Sequence, residues 1–525
     1  MIFRSPYPDV AVPDLPLTAI VLRHAERLAD KPAVVDGQSG RILTYRQLAE
    51  AVRRTAAGLA RSGFRKGDVF AIYAPNVPEY AVAFHGAASL GGVITMLSPL
   101  YTVEEAVLQL TDAGATHLLT VPELLGRARA AAQRAGIRNL FVIGNASGVP
   151  SFASLLERDD EPPTVRIDPR TDVAILTYSS GTTGGSKGVM LTHANLVANV
   201  VQVLAVARVD EDDVLIGALP FAHMYGIHTV LQTGLAAGAT IVVSPWVDLE
   251  SFLTALRDHA VTYAHLVPPI VVALAKSPLV RRDDYPKLAV IVSAAAPLGA
   301  EVVRACADRL GCRVRQAYGL TEAGSGTHFP PLDAAWDRPG SVGYCLPNTE
   351  CQLVDPATGA VAGRGQTGEI WVRGPQVMKG YRNQPESTAT AITPDGWLRT
   401  GDLGHADADG ALYVVDRLKE LIKYKGYSVA PAELEAVLLA HPAVADAAVI
   451  PSPDEAVGEV PKAFVVLKAE ATAEELMAFV TARVAPYKKV RKLAVVDQIP
   501  KSPSGKILRR ILVEAERARI SSSSG

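Results

Sequence analysis

Apolar residues recur at helical spacing, and in short runs, through roughly the first 320 residues. Residues 44–63 place apolar side chains three or four positions apart and close on a glycine, which predicts a helix. The β-rich runs DVFAIYAP and VITML follow, separated by a second helical stretch. Continued alternation of this kind predicts βαβ units, and hence parallel sheets covered by helices.

The pattern changes twice beyond residue 340. The segments ECQLVDPATGAVAG, GEIWVRG and GALYVVD are short strands with turn signals, which predicts a smaller β-rich subdomain. After DRLKELIKYKG come a helix, two strands, a helix and a last strand, enough to bury a small α+β core. We therefore predict an α/β fold: a large N-terminal domain over 1–417, with parallel-type sheets, helices and the β-rich subdomain, and a small mobile α+β C-terminal domain over 418–525.

Composition narrows the functional class. The 525 residues exceed the usual size of a single core, which also favours two or more domains. The 52 Lys and Arg residues nearly balance the 54 Asp and Glu residues, and no apolar run reaches the roughly 18 residues of a spanning helix. A cytoplasmic protein that binds neither nucleic acid nor membrane is expected. Cys306, Cys312, Cys345 and Cys351 form no CxxC pair, so buried thiols are favoured over metal ligands or disulfides.

The segment TYSSGTTGGSKG, residues 177–188, crowds hydroxyl side chains, glycines and one lysine between two predicted strands. Glycines let backbone N–H groups turn toward an anion, and the hydroxyls and Lys187 add further donors, so the loop suits a polyphosphate. It is not a Walker loop, because Ser186 stands where that motif needs its second glycine. It is not a dinucleotide fingerprint either, because a GxGxxG before a helix is absent. A flexible polar linker is the alternative, but linkers seldom join strands with this density of hydroxyls.

Other polar clusters have both a chemical and a purely structural interpretation. QAYGLTEAG sets the Thr321 hydroxyl beside the Glu322 carboxylate, as a phosphate–Mg²⁺ contact requires. RTGDLG places Asp402 in a predicted turn, where it either accepts both ribose hydroxyls or simply forms the turn. His223 in FAHMYG is either a ligand contact or a hydrogen-bonded core histidine. PKSPSGKILRR is a basic turn that, taken alone, would be a solvated loop.

Taken together, these segments resemble the adenylate-forming, acyl-activating ligases, most closely the 4-coumarate or cinnamate CoA ligases. The resemblance spans nearly the whole chain. The motifs that carry it are YSSGTTGGSKGVMLTH, LPFAHMYG, SAAAPLG, QAYGLTE, GEIWVRGPQVMKGY, GWLRTGDLG, VDRLKELIKYKGYSVAPAELE and PKSPSGKILRR. It implies two steps: ATP and a carboxylic acid give an acyl-adenylate and pyrophosphate, and the thiol of coenzyme A then displaces AMP.

The resemblance also implies roles for individual residues. For the β- and γ-phosphates it implies Ser179, Ser180, Gly181, Thr182, Thr183, Gly184 and Lys187. For adenine it implies Gln316, Ala317 and Tyr318, near Ala295–Pro297. It implies that Thr321 contacts the α-phosphate and that Glu322 binds Mg²⁺. It implies that Asp402 and Arg417 hold the ribose. Lys423 is implied to be a further nucleotide contact, and Lys419 is implied to be the pivot of the C-terminal domain. Lys425 and Gly426 are implied to face coenzyme A. Lys506 is implied to bridge the carboxylate and the α-phosphate.

The acyl pocket is implied to include His223, Tyr225, Ala294, Ala295, Ala317, Gly319, Ser325 and Gly326. Small residues beside an aromatic wall suggest a flat slot, which favours a planar aryl propenoate. Several positions depart from the family pattern. Gly185-Ser186 stand where most relatives have Leu-Pro or Thr-Pro, and Trp246 stands where a basic residue is usual. Ser428 stands where plant enzymes have glutamine. Relatives often have glycine at the positions of Ala294 and Ala317, and Pro-Val at those of Ser325-Gly326.

Other functions share parts of this pattern. A peptide-synthetase adenylation domain would need an acid near His223 to pair with an α-amine, and FAHMYG has none. A luciferase-like oxygenase would use the same adenylation step. A nucleotide sensor without catalysis would have no need of Lys506 or Glu322, and both are present. Among CoA ligases, a medium-chain fatty acid is the alternative substrate. The expected partner is a small carboxylic acid, and the expected state is a monomer or weak homodimer.

Overall fold

The computed structural model describes residues 1–179, 187–245, 247–333, 336–363, 365–425, 427–454, 457–502 and 505–523. Its first part alternates strands and helices as predicted. The strands are β1 (Ile2–Arg4), β2 (Pro32–Asp36), β3 (Ile42–Thr44), β4 (Val69–Tyr73), β5 (Val93–Leu97), β6 (Ala115–Thr120) and β7 (Asn139–Val142). The helices are α1 (Leu17–Val21), α2 (Tyr45–Arg61), α3 (Glu79–Ser89), α4 (Val103–Ala113) and α5 (Leu125–Ala135).

The next part continues the alternation. Its strands are β8 (Val173–Ser179), β9 (Lys187–Thr192), β10 (Val214–Gly217), β11 (Thr240–Val243), β12 (Tyr263–Leu266), β13 (Val290–Ser293) and β14 (Arg313–Gln316). Its helices are α6 (His193–Ala207), α7 (Thr233–Ala237), α8 (Leu249–Asp258), α9 (Pro268–Lys276) and α10 (Ala300–Leu310).

The middle part is mostly strand, as predicted from residue 340 onward. Its strands are β15 (Tyr318–Leu320), β16 (Ser325–Phe329), β17 (Tyr344–Cys345), β18 (Glu350–Val354), β19 (Gly368–Arg373), β20 (Gly380–Tyr381), β21 (Leu398–Ala406) and β22 (Leu412–Arg417), with helix α11 (Pro385–Ala391). The last part contains β23 (Ile422–Tyr424), β24 (Tyr427–Val429), β25 (Val444–Asp454), β26 (Gly458–Leu467) and β27 (Lys492–Val495), with helices α12 (Pro431–Leu439), α13 (Ala473–Thr481) and α14 (Arg509–Ser523).

Two seven-stranded sheets form the frame. One has the order β14-β13-β12-β10-β11-β2-β3 and is parallel except for the pair β2–β3. The other has the order β20-β9-β8-β5-β4-β6-β7 and is parallel from β8 to β7. Every residue of β4 is buried, as expected for a strand covered on both faces. The prediction of parallel sheets built from βαβ units is confirmed.

The later sheets are smaller. The antiparallel sheet β1-β18-β19-β21-β22 contains the strands predicted after residue 340, and β15-β16-β17 form a three-stranded sheet. Strands β23 to β27 form a separate sheet, whose apolar cluster, from Ile422 to Val490, is distinct from the cluster that ends at Leu412. These clusters are consistent with a division near residue 417, and the boundary itself stays a prediction.

The cysteines and the helices of the described part of the chain bear on function. Cys306, Cys312, Cys345 and Cys351 are free and buried, as predicted. Within those same residues, we find no helix with the length and apolar character that a membrane crossing requires.

Candidate active site

The carboxyl ends of adjacent parallel strands gather many of the predicted site residues. Strands β14, β13, β12 and β10 are neighbours, and at their ends lie Ala317, Ala294, the start of α9 and the segment that leads to His223. The Ala317 amide donates to the Ser293 carbonyl at 2.9 Å, so the ladder continues past the last strand residue. Ligands of open α/β sheets bind at this edge.

A buried glutamine fixes the loop predicted to border adenine. The Leu298 amide donates to Gln316 Oε1 at 2.9 Å, and Gln316 itself is buried. The loop between β13 and Leu298 includes Ala295, whose φ of 76° lies in the left-handed region that alanine rarely adopts. The structure thus brings Gln316 and Ala317 to the strained Ala295 loop, as the resemblance implies.

Asp402 corrects the prediction of a turn. It lies inside strand β21, directly opposite Arg417 of β22. The glycines around it suggested a turn, but Gly401 takes a φ of 71° without ending the strand, and the register shift at Gly404 is absorbed in the ladder. The residue is therefore held by a sheet rather than by a loop.

Both oxygens of the Asp402 carboxylate have a protein partner. The Tyr318 hydroxyl donates to Oδ2 at 2.7 Å, and Arg417 Nε lies 3.1 Å from Oδ1. Burial, with a further contribution from Asp402, raises the pKa of Tyr318, so its hydroxyl remains a donor. Each carboxylate oxygen has a second lone pair for a ligand. The pair predicted to hold ribose is brought together, and Tyr318 connects it to the predicted adenine wall.

Lys506 lies in a turn that faces this carboxylate–arginine pair. The turn closes through Ser502 N–H to the Lys506 carbonyl at 2.8 Å, and Lys506 is close enough to Arg417 and Asp402 for their charges to act on it. Burial, and next the charge of Arg417, lower the pKa of Lys506 to about 8. The prediction of a basic turn is confirmed, and its lysine is half-buried rather than fully exposed to solvent.

The predicted phosphate loop joins two strands, as expected. Strands β8 and β9 form an antiparallel pair in which Lys187 lies opposite Ser179. The Lys187 ammonium lies 4.9 Å from the centre of the Tyr381 ring and 3.3 Å from the Ser387 hydroxyl. Ser180, Gly181, Thr182, Thr183, Gly184, Gly185 and Ser186 lie outside the described residues, so their phosphate roles stay predictions.

Thr321 and Glu322 begin a single 3₁₀ turn, Thr321–Ala323. The Tyr381 hydroxyl donates to Glu322 Oε1 at 3.1 Å. Burial, and next the nearby Glu322 charge, raise the pKa of Tyr381. Tyr381 was missed by the sequence analysis, although it connects Glu322 with Lys187. Its strand β20 pairs with β9, a contact over about 190 residues of chain for which the local sequence carries no signal.

His223 precedes a π-helix, Tyr225–Gln232, a form often found at functional sites. Its Nε2 is buried and has no hydrogen-bond partner among the residues that the structure describes. Burial lowers the pKa of His223, which favours the neutral ring. This is not the hydrogen-bonded core histidine of the alternative interpretation. The Tyr225 hydroxyl donates to the Val292 carbonyl at 2.9 Å and so places Tyr225 against β13.

The predicted acyl residues meet the same π-helix from the other side. The Ser325 hydroxyl lies 2.6 Å from that of Thr229, a pocket residue that the sequence analysis missed. A Cβ on Gly319 would lie 1.6 Å from the Ser325 carbonyl oxygen, so only glycine fits there. A Cβ on Gly326 would instead meet Val203 and Leu346 at 3.5 Å each, in ordinary contact. Gly326 is therefore less constrained by space than Gly319.

His265, beside Tyr225, is a third residue that the sequence analysis missed. Its ring lies 5.6 Å from that of Tyr225 and 5.1 Å from that of Tyr263. Burial lowers the pKa of His265 to about 3, and its Nδ1 has no hydrogen-bond partner in the described ranges. His265 could have been found from the sequence, because a histidine within the otherwise apolar strand β12 is unusual.

Three predicted lysines are exposed to solvent. They are Lys419, Lys423 and Lys425, and the Lys423 amide donates to Glu459 at 2.7 Å. Gly426, Trp246 and the side chain of Ser428 lie outside the described residues. The pivot, nucleotide and coenzyme A roles of this segment stay predictions.

The fold and the gathered residues are those of an adenylate-forming enzyme. The chain belongs to the AMP-binding enzyme family: residues 21–382 match the AMP-binding enzyme, and residues 433–506 match the AMP-binding enzyme C-terminal domain.

Relatives of this chain are similar over almost its full length. It is 42% identical to "4-coumarate--CoA ligase 2" of Solanum tuberosum, covering 99% of this chain and 97% of the relative. It is 43% identical to "4-coumarate--CoA ligase 5" of Oryza sativa subsp. japonica, covering 97% and 96%.

Solved structures agree on the fold. ATP-bound MatB from Rhodopseudomonas palustris has a TM-score of 0.86 at 30% identity, over 95% of this chain and 99% of that one. The anthranilate CoA ligase AuaEII, in complex with anthranoyl-AMP, has a TM-score of 0.90 at 26% identity, over 98% and 99%. The resemblance to adenylate-forming ligases is therefore confirmed.

Proposed function

We propose that this protein is an ATP-dependent acid–CoA ligase that activates an aryl propenoate such as 4-coumarate or cinnamate. The observation that carries the proposal is the placement of the half-buried Lys506 turn at the Asp402–Arg417 pair. Adenylation joins a carboxylate to a triphosphate, and a positive charge at the meeting point offsets their repulsion. The acid class is supported by the similarity to 4-coumarate–CoA ligases over nearly the full chain.

In the first step the carboxylate attacks the α-phosphorus of ATP. The new acyl–phosphate bond forms as the bond to pyrophosphate breaks. Tyr318, Asp402 and Arg417 hold the ribose, and Lys506 donates to the carboxylate and α-phosphate oxygens. Holding both reactants in one orientation removes much of the entropic barrier.

Mg²⁺ is the metal that fits this site. Glu322 offers a carboxylate whose orientation is set by Tyr381, and hard oxygen donors of this kind suit Mg²⁺. Glu322 would hold the ion, with Thr321 beside it on the α-phosphate. The ion supplies charge neutralisation on the phosphates.

In the second step the thiol of coenzyme A attacks the acyl carbon. The carbon–sulfur bond forms, AMP leaves, and the thiol proton is released. Lys425 and Gly426 would face coenzyme A, and Lys425 directly follows strand β23, far along the chain from the turn that carries Lys506. We propose that this domain, residues 418–525, turns at Lys419 between the two steps.

A planar acid suits the pocket better than a flexible chain, because a flexible chain loses more conformational entropy on binding. Tyr225 against β13 supplies an aromatic wall, and Ala294, Ala317 and Gly319 leave a thin space. The methyl group of Ala294 disfavours bulky ring substituents. Ser325 and Thr229 add hydroxyls at one end of the pocket.

The test has two parts. Chromatography of spent nucleotide is expected to give AMP and pyrophosphate; ADP would overturn the mechanism. A panel of acids, assayed for pyrophosphate release with and without coenzyme A, is expected to give a higher kcat/KM for cinnamate and 4-coumarate than for octanoate. A preference for octanoate would select the medium-chain alternative. The cytoplasmic location and the monomer or weak homodimer remain predictions.

A further inference from the structure

Lys276 connects the two parts of the chain. It is the last residue of α9, in the large domain, and its ammonium donates to the carbonyls of Leu439 at 2.8 Å and Val444 at 2.9 Å. Both carbonyls belong to the C-terminal part. One large-domain side chain therefore makes two hydrogen bonds across the predicted boundary.

The two carbonyls are suited to a cation. Leu439 is the last residue of α12, and the final carbonyls of a helix have no intrahelical partner. The partial negative charge at a helix C-terminus also favours a cation there. Burial, and next the charge of Lys468, lower the pKa of Lys276 to about 8, so that the ammonium is the main form at neutral pH.

The other end of α9 lies against the turn that carries Lys506. A Cβ on Gly505 would lie 3.1 Å from a Val267 methyl group and 3.5 Å from Pro269 Cδ. Pro269 and Lys276 are seven residues apart, about 10 Å along a helix. The same short helix thus contacts the C-terminal part at two separated points, one at the Lys506 turn and one at the end of α12.

We propose that Lys276 is a positioning residue that holds the C-terminal domain in the orientation used for adenylation. The proposal rests on the two-step function proposed above. Val444 belongs to the same apolar cluster as Leu438 and Val480, so the carbonyls that bind Lys276 move as one body with that domain. When the domain turns and withdraws Lys506, these hydrogen bonds break. Lys276 therefore stabilises only one of the two orientations.

The test separates the two half-reactions in Lys276→Met, Lys276→Arg and Lys287→Met. Adenylation is followed by exchange of pyrophosphate into ATP, and thioester formation by coenzyme A consumption with synthetic acyl-adenylate. Lys276→Met is expected to slow exchange about tenfold, because hydrogen bonds to a charged group are lost. Thioester formation is expected to stay equal or rise. Lys276→Arg keeps the charge and its donors and should restore exchange. Lys287, exposed on the same domain, is the matched control and should change neither rate.

A second measurement reports orientation without any acid. Fluorescent donor and acceptor labels are placed on Leu108→Cys and Val495→Cys, which are exposed positions on the two parts of the chain. The native thiols are buried and do not compete for the labels. Lys276→Met is expected to add a second donor–acceptor distance at the expense of the first, and Lys276→Arg is not.

The outcomes distinguish the two proposals. If wild-type protein performs both half-reactions but Lys276→Met slows both equally, or neither, the positioning role is wrong. The same conclusion follows if Lys276→Met leaves the distance distribution unchanged, or if Lys276→Arg behaves like Lys276→Met. If wild-type protein performs neither half-reaction with any acid, the proposed function fails first, and the role of Lys276 fails with it.

Discussion

The hydroxyl of Tyr318 donates a hydrogen bond to Asp402 at 2.7 Å, across 84 residues of chain. Tyr318 begins the three-stranded sheet, and Asp402 lies within the five-stranded antiparallel sheet. The bond therefore ties the predicted adenine wall to the predicted ribose carboxylate. We predict that a nucleotide bound beside these two residues is oriented by both sheets.

Loss of that hydroxyl should weaken nucleotide binding more than turnover. In Tyr318→Phe the Asp402 carboxylate loses a donor of a charge-assisted hydrogen bond, a class worth about 1.5–3 kcal/mol. We expect the KM for ATP to rise at least tenfold with a smaller change in kcat, measured by steady-state kinetics at saturating acid. Tyr413→Phe, on the neighbouring strand, is the control. An unchanged KM for ATP in Tyr318→Phe would remove Tyr318 from the nucleotide site.

Adenylation should decline in mildly alkaline solution. The proposed reaction needs the Lys506 ammonium, and burial together with Arg417 places its pKa at about 8 rather than at the ordinary value of 10.5. Because kcat/KM reports the free enzyme, it should fall about tenfold per pH unit above that pKa. Pyrophosphate exchange measured from pH 6 to pH 10 tests this. A profile that stays flat to pH 10 is incompatible with a depressed Lys506 pKa.

The Tyr381 hydroxyl should affect the metal requirement. In Tyr381→Phe the Glu322 carboxylate loses the donor that orients it, while the ring beside Lys187 remains. We expect the Mg²⁺ concentration for half-maximal adenylation to rise about tenfold to a hundredfold, as is typical when a residue that orients a metal ligand is lost. The KM for the acid should not change. If the Mg²⁺ dependence matches that of wild-type protein, Tyr381 has no part in holding the metal ligand.

Lys506 and Gly426 should separate the two half-reactions. Lys506→Ala is expected to lose roughly 10²–10³-fold or more of its adenylation rate, since it removes the ammonium proposed to bridge the two anions. It should still convert synthetic acyl-adenylate with coenzyme A at nearly the wild-type rate. Gly426→Ile should do the reverse, because its side chain obstructs the approach of the thiol. Equal slowing of both half-reactions in both variants would contradict the division of labour and the domain rotation.

Sequence patterns predicted those elements whose structure depends on neighbouring residues. The hairpin around the phosphate loop, the βαβ alternation and the basic turn at Lys506 follow from periodicity and turn residues, and all three are confirmed. The error at Asp402 has a local cause as well: Gly401 and Gly404 are turn formers by type, and only pairing with two neighbouring strands keeps them in β21.

Contacts between distant segments were not predictable from one sequence. Tyr381 reaches Glu322 because β20 pairs with β9, and Thr229 reaches Ser325 because a π-helix turns it there. Neither residue stands out in its own segment. Lys276 is similar, since a lysine that ends a helix is usually solvated. Its role becomes visible only when α12 is placed beside it.

Strand β1 has a consequence for synthesis of the chain. Ile2–Arg4 pair with the stretch from Glu350 to Gln352, and the Arg4 side chain bonds to Glu350 across 346 residues. At about 5–20 residues per second, the ribosome delivers the second strand roughly a quarter of a minute to a minute after the first. During that interval β1 lacks its partner strand β18, so its unpaired backbone groups are available to other polypeptides in the cell. Fusion partners or deletions at residues 2–4 should therefore reduce the yield of folded protein more than its activity per folded molecule.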